Sequence, residues 1–254
     1  MNQYDAVCMR KSVRRFKMEL LPQAFFKNLR KFEQGLQPLE PELSYSIEIV
    51  DAMGSGAKFK GMFRVKAPYY LVFYSVPGAG AMTNAGYLME QLVLYMTARE
   101  VGTCYQGALS VKGIEEPEGM EPLMVLAFGM ADEPVYREMV RAKRLPFKEL
   151  CVFREDSTEE TRLMLQAARL APSAMNGQPW RFVVYQNRIH VFIRKELFAF
   201  PTKKRLVLFD MGIMLWHISL AAEETWREIS FTRREEMAAK ELKNNEYFLT
   251  VLLV

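Results

Sequence analysis

Histidine and cysteine are scarce in this 254-residue chain: two of the first and three of the second. Cys8, Cys104 and Cys151 form an odd, scattered set without a C-x-x-C, which excludes a disulfide framework and a vicinal thiol pair. His190 and His217 are too few for a zinc spacing and leave little scope for imidazole acid–base chemistry; a structural place is expected for each. G-x-S-x-G, H-E-x-x-H, G-x-x-x-x-G-K-[ST] and a G-x-G-x-x-G after a strand are all missing, so no common nucleophile, metalloprotease or nucleotide loop is in view. No stretch is read as reaching the ~18–20 apolar residues of a membrane span. The opening MNQYDAVCMRKSVRRF lacks an apolar leader core, and the expectation is a soluble cytoplasmic protein without a membrane partner. Excess charge is small as well. Lys and Arg number 34 against 30 Asp and Glu, a net +4 too dispersed to argue for nucleic acid.

What is present is an ordinary core-forming composition, 50% apolar and 25% charged, which excludes disorder. Residues 45–52 (YSIEIVDA) alternate as a half-buried strand should, and 67–76 (APYYLVFYSV) and 122–130 (PLMVLAFGM) read as covered strands. Residues 83–101 between the last two read as a helix whose broad apolar surface places it centrally. The second half repeats this order. Residues 181–185 and 189–194 flank a Gln186-Asn187-Arg188 turn, 210–226 read as an apolar helix, and the final YFLTVLLV as a buried strand. An amphipathic helix opens each half, at 22–34 and 157–170, the second with capping-box spacing between Ser157 and Glu160. The expected architecture is α+β, with antiparallel-rich sheets, central helices and an internal repeat. The halves are taken as 1–150 and 151–254, joined within the charged, proline-containing 131–156. Residues 53–66, with three glycines and four cations, read as a mobile basic loop.

Three segments are polar enough to carry chemistry. In Arg10-Lys11-Ser12-Val13-Arg14-Arg15-Phe16, cations and a hydroxyl could surround a phosphate, or simply form a solvated basic run. Arg141-Ala142-Lys143-Arg144-Leu145-Pro146 is a second basic cluster, by itself no more than a charged linker. Ala171-Pro172-Ser173-Ala174-Met175-Asn176-Gly177-Gln178-Pro179-Trp180 is a stiff loop crowded with donors and acceptors, suited to the edge of a heteroaromatic ring. A well-made core with few reactive side chains points to chemistry carried by a bound cofactor.

R-x-S-x-R-x-F at 10–16, A-P-S-x-x-N-x-Q-P-W at 171–180, K-R-L-P at 143–146 and G-T-C-Y-Q-G at 102–107 together resemble the FMN-dependent nitroreductase family. The resemblance implies FMN at a subunit interface. Arg10, Lys11, Ser12, Lys143 and Arg144 would then hold its phosphate, and Arg14 would lie nearer the ring. Pro172, Ser173, Ala174, Asn176 and Gln178 would line the ring and ribityl side, and a backbone N–H of Gln106 or Gly107 would face flavin N5. Lys60 or Arg64 stands where family members often have an asparagine. Aromatic-rich 59–63 or 197–200 (LFAF) could cover the pocket.

The chain departs from the family pattern in keeping its Pro-Ser-x-x-Asn loop in the second half, far from the basic motif. The second half conversely has no R-x-S-x-R. This implies a fused pseudo-dimer in one chain that keeps one flavin site and has lost its symmetry mate. By resemblance the activity is hydride transfer from NAD(P)H through FMN to a small aromatic acceptor, a nitroaromatic or a quinone, with no protein nucleophile. Two other readings remain: a non-catalytic FMN carrier or sensor, and a superfamily enzyme that modifies the flavin or removes halogen reductively. A monomer or weak homodimer is expected.

Overall fold

Groups of strands flank two long apolar helices along the chain, with shorter helices between them. The computed structural model describes residues 1–61, 64–195, 201–240 and 242–254. They separate into two units, Met1–Arg141 and Ala142–Val254.

In the first unit, α1 (Gln3–Met9) begins at Asn2, whose side chain accepts the Asp5 N–H at 2.7 Å while the Asp5 carboxylate accepts the Asn2 N–H at 3.2 Å. There follow α2 (Gln23–Glu33), β1 (Tyr45–Asp51), β2 (Lys58–Lys60), β3 (Tyr69–Ser75), α3 (Ala81–Thr97), β4 (Val101–Tyr105), β5 (Ser110–Lys112) and β6 (Glu121–Met130). The main sheet has the order β1-β3-β6-β4 and is antiparallel throughout. All 17 residues of α3 are buried, as expected of a helix without a wet face. The helix stops at Thr97 rather than near 101. Glu100 adopts a left-handed φ of 63°, and the next residues pair with β6 as β4. G-T-C-Y is therefore strand, not loop. The basic stretch 53–66 is likewise partly ordered, because β2 and β5 form a two-stranded ribbon.

The second unit contains α4 (Phe147–Leu150), β7 (Cys151–Phe153), α5 (Glu159–Leu170), β8 (Trp180–Val184), β9 (Arg188–Arg194), α6 (Pro201–Glu224), β10 (Ile229–Thr232), α7 (Glu235–Ala238) and β11 (Asn245–Leu253). Its sheet order is β10-β11-β9-β8-β7, antiparallel except for the β7–β8 pair. Thr158, not Ser157, caps α5: its hydroxyl accepts the Thr161 N–H at 3.3 Å, while the Ser157 hydroxyl accepts from Arg162 Nε.

One correction to the sequence reading concerns hydropathy. Within α6, Lys203–Glu224 is 22 residues long and holds an 18-residue window of mean hydropathy 1.5, enough by length and composition to cross a membrane. Yet 78% of that window is buried inside the protein, and α6 packs on α5 as the core helix of its unit. The helix ends in a Schellman motif. Arg227 N–H reaches the Ala222 carbonyl at 2.9 Å and Trp226 N–H that of Glu223 at 3.1 Å, with Trp226 at φ 55° where glycine is usual.

Setting aside β7, the β2–β5 ribbon and the short helices α1, α4 and α7, each unit runs helix, two strands, long helix, two strands. Their sheets share the order first, second, fourth, third.

Candidate functional site

In the first unit the segment 10–17 meets the free edge of β4 at Ser12 and Val13 and the end of β6 at Phe16 and Lys17. Ser12 bridges to Thr103 in parallel, Val13 N–H donates to the Thr103 carbonyl at 2.9 Å, and Lys17 N–H to that of Met130 at 2.9 Å. Val13 is fully buried and sits directly over Gly102, where an added Cβ would come within 2.9 Å of its Cγ1. Ser12 is half-buried and Arg14 exposed. Glu133 organises the other cations: it accepts the Arg14 N–H at 2.7 Å, with Lys11 Nζ at 3.9 Å and Arg15 Nε at 3.7 Å. Burial works against its charged form. That N–H and the two cations outweigh burial and hold the carboxyl below the usual carboxylate range.

Arg10 is the surprise. A basic residue in a basic run is expected in water, but it is 2% exposed, with Nε 3.8 Å from Glu90 Oε1 on α3. Glu90 also accepts the Tyr105 hydroxyl at 2.7 Å. Arg10 Nε is sealed from solvent and makes no hydrogen bond among the described residues. Beside it lies a residue the sequence reading passed over. Tyr136 is the bridge partner of Arg10, Arg137 N–H donates to the Met9 carbonyl at 2.9 Å, and Arg137 Nε and Nη2 are also sealed without a partner.

In the second unit the structure brings Lys143, Arg144, Ser173, Ala174, Asn176 and Gln178 into one network. Arg144 Nη1 donates to Asn176 Oδ1 at 2.7 Å and Nη2 to the Leu170 carbonyl at 3.1 Å, while Asn176 Nδ2 returns to the Lys143 carbonyl at 3.0 Å. Gln178 is spent inside the loop. Its Oε1 accepts the Leu145 N–H at 2.8 Å, its Nε2 donates to the Asn176 carbonyl at 3.2 Å, and only 4% of it is exposed. It is a strut of the loop, which explains the crowding of amides without a ligand. The loop is strained all the same: Met175, Asn176 and Gln178 have φ of 51°, 56° and 45°. Met175 at its tip is 98% exposed. Pro172 is buried, and the Ala174 N–H is pinned between both oxygens of Asp210 at 3.1 and 3.0 Å. Burial drives the Asp210 carboxyl well above its ordinary range, the Ala174 N–H only partly opposing it.

Other expected residues are dispersed. Gln106 N–H donates to the Val125 carbonyl at 2.8 Å, and its side chain accepts the Val65 N–H, so it has no backbone donor to offer; exposed Gly107 is the remaining member of that pair. Lys60 is exposed on the β2–β5 ribbon, while Arg64 bonds the Tyr70 hydroxyl and lies over the Phe59 ring. Phe59 stacks on Tyr70 at 4.1 Å as core. Met62, Phe63 and 197–200, named as pocket covers, lie outside the described residues.

The thiols and imidazoles are occupied structurally. Burial pushes Cys151 up to about 12 against the pull of Arg181, and it also raises Cys104 despite Arg14 and Arg10 nearby. His217 Nδ1 donates to the Ala167 carbonyl at 2.9 Å. His190 Nε2 accepts from Arg188 Nε, leaving Nδ1 to donate to Thr250 Oγ1 at 2.7 Å. Burial first, then the charges of Arg188, Arg234 and Lys240, lower its pKa.

This arrangement, an R-x-S-x-R strand beside a sheet with a central buried helix, agrees with what comparison finds. The family model described as "Putative TM nitroreductase" matches residues 2–222, and the chain belongs to that nitroreductase family. Among solved structures it is similar over its whole length to a "putative nitroreductase" from Thermotoga maritima. The two are 21% identical, with 100% of this chain and 94% of the other covered and a TM-score of 0.66, a likeness of fold. A nitroreductase family protein from Clostridium difficile 630 is 13% identical, with 59% and 96% covered and a TM-score of 0.47. A nitroreductase with bound FMN from Desulfitobacterium hafniense is 15% identical, with 59% and 96% covered and a TM-score of 0.43. No curated protein matches.

Proposed function

We propose that this protein is an FMN-dependent oxidoreductase that passes reducing equivalents from NAD(P)H to a small aromatic acceptor, a nitroaromatic or a quinone. Membership of the nitroreductase family supports the class. The observation that carries the reading is Arg10: a buried guanidinium whose Nε lacks a hydrogen-bond partner, in the segment that resembles the family's phosphate-binding motif. A buried guanidinium N–H without a hydrogen bond is costly even beside the Glu90 carboxylate 3.8 Å away, and a phosphate oxygen would answer it. The donor set thus fits a flavin phosphate.

When bound, FMN supplies reversible two-electron chemistry between a nicotinamide and an oxidised acceptor. The protein's part is binding and charge. In the first unit Arg10, Lys11 and Ser12 would hold phosphate, and exposed Arg14 would offer a cation where negative charge gathers on reduction. In the second unit, Pro172, Ser173 and Ala174 would present an edge to a heteroaromatic group, pinned at the Ala174 N–H and kept in shape by Lys143, Arg144 and Asn176. No side chain is asked to act as a nucleophile, in keeping with thiols raised by burial and histidines tied into the core.

The test is the visible spectrum of purified protein, followed by anaerobic titration with NADH and NADPH. A flavin spectrum that bleaches with one nicotinamide and recovers with a nitroaromatic or quinone is the expected result. Protein that cannot be loaded with FMN sinks the proposal; tight yellow binding that neither nicotinamide bleaches makes the protein a flavin carrier instead.

A further inference from the structure

Arg10 and Arg137, on adjoining backbone segments, both carry guanidinium nitrogens without a hydrogen-bond partner among the described residues. Arg10 and Tyr136 are bridge partners, and Arg137 N–H is bonded to the Met9 carbonyl, so the chain after β6 runs back along the end of α1. The Tyr136 hydroxyl fastens this return to the Thr97 carbonyl at the end of α3, at 3.0 Å. Three guanidinium nitrogens, Arg10 Nε and Arg137 Nε and Nη2, are thereby closed off from water with no hydrogen bond among the described residues. Glu90 stands 3.8 Å from Arg10 Nε, an ionic contact too long for a hydrogen bond, and has the Tyr105 hydroxyl to accept as well.

We propose that Arg137, half-buried, is a phosphate-binding residue, completing with buried Arg10 a receptor for a phosphomonoester dianion. The natural ligand, the FMN phosphate, rests on the function proposed above. Paired guanidinium forks match the geometry of phosphate oxygens; Glu90 already pairs with Arg10, so Arg137 supplies the cation that no carboxylate answers. The charge balance agrees: burial and the neighbouring charge of Arg10 bring Arg137 down to about 10, with no carboxylate opposing them. Arg137 went unnoticed in the sequence because it stands in a charged, proline-containing connector among other cations.

The experiment compares FMN with riboflavin, which lacks only the phosphate, on wild type, Arg137→Gln and Arg137→Lys, by flavin fluorescence. NADPH and NADH KM values are measured alongside, since NADPH carries a phosphomonoester of its own. Arg137→Gln is expected to lower FMN affinity about 10- to 100-fold, the scale of a lost charge-assisted contact, with riboflavin affinity unchanged and Arg137→Lys between. A rise in KM for NADPH but not NADH, with FMN binding intact, would move the same receptor to the nucleotide. If both variants keep the wild-type ratios of FMN to riboflavin and of NADPH to NADH, the proposal is overturned while the flavin reading stands. Thermal unfolding in inorganic phosphate, against chloride of equal ionic strength, separates the two ideas further. If wild type binds no flavin, a phosphate-induced rise in Tm that Arg137→Gln abolishes keeps the receptor and removes FMN as its ligand. Absence of any such rise in wild type then overturns the receptor too. Should Arg137→Gln fail to fold, Arg137→Lys and the wild-type phosphate response decide in the same way.

Discussion

A single residue in an unfavourable backbone state gives the simplest handle on this protein. Trp226 occupies the left-handed position after α6 and is 93% exposed, so its side chain returns little for the strain of its Cβ. Trp226→Gly should raise stability by roughly 0.5–1 kcal/mol, the relief of that strain less the entropy glycine loses on folding. Denaturant unfolding checks it; a lower midpoint would mean that the indole packs more than its exposure indicates. Asp210 is the opposite case, a buried group that works against the fold at neutral pH. Its folded pKa is raised well above 3.8, so between those two values the folded protein holds a proton that the unfolded chain has lost. Stability associated with Asp210 is therefore intact at low pH and declines as pH rises from about 4 toward the folded value. Asp210→Asn keeps an oxygen for the Ala174 N–H and removes the titration. Its Tm should exceed wild type at about pH 8 and converge with it near pH 4, followed by circular dichroism; parallel curves would show that Asp210 is not the titrating group.

At the level of elements, the contact between Val13 and Gly102 fixes where the basic segment lies. A Cβ at 102 would meet Val13 Cγ1 at 2.9 Å and Cβ and Cγ2 at 3.0 Å, so the segment must lift from β4 to make room. Gly102→Ala should cost about 1–3 kcal/mol, as overpacking of a tight core does, and weaken FMN binding by displacing Ser12. In a Val13→Ala background the same change should cost less; equal costs in both backgrounds would show the contact to be loose. Elements were legible where the pattern is local. The alternation of Tyr45–Asp51, the unbroken apolar run of Tyr69–Ser75 and the wide apolar face of α3 each carry their own signature. β4 was hidden because its V-G-T-C-Y follows α3 with no proline, and the turn rests on Glu100 in a left-handed state that sequence does not advertise. α1 was hidden because its seven mixed residues depend on the reciprocal Asn2–Asp5 cap rather than on an apolar period.

Across the whole chain, the repeated strand order supports reading the protein as two related halves, although R-x-S-x-R occurs in only one of them. On that reading the loaded protein carries one FMN per chain, a ratio the purified protein's absorbance gives directly. The candidate site was legible as motifs but not as geometry. Sequence placed Lys143 and Arg144 with Arg10 and Ser12 at a phosphate and Asn176 and Gln178 at a ring edge, whereas tertiary packing turns the hydrogen-bonding groups of Arg144, Asn176 and Gln178 onto segments 143–145 and 170–178. The same holds for Arg10, where a run of cations looks solvated until α3 closes over its first member. Burial of a charge is decided by what packs from elsewhere, and no local pattern encodes it.

The seating of Ser12 and Val13 on β4, and of Phe16 and Lys17 at the end of β6, has one more effect. Those residues finish the sheet, giving the Thr103 carbonyl a donor that would otherwise face outward. A chain shortened past Lys17 would lose its cations and also lay bare a raw margin of backbone, the kind of template on which separate molecules stack into insoluble ribbons.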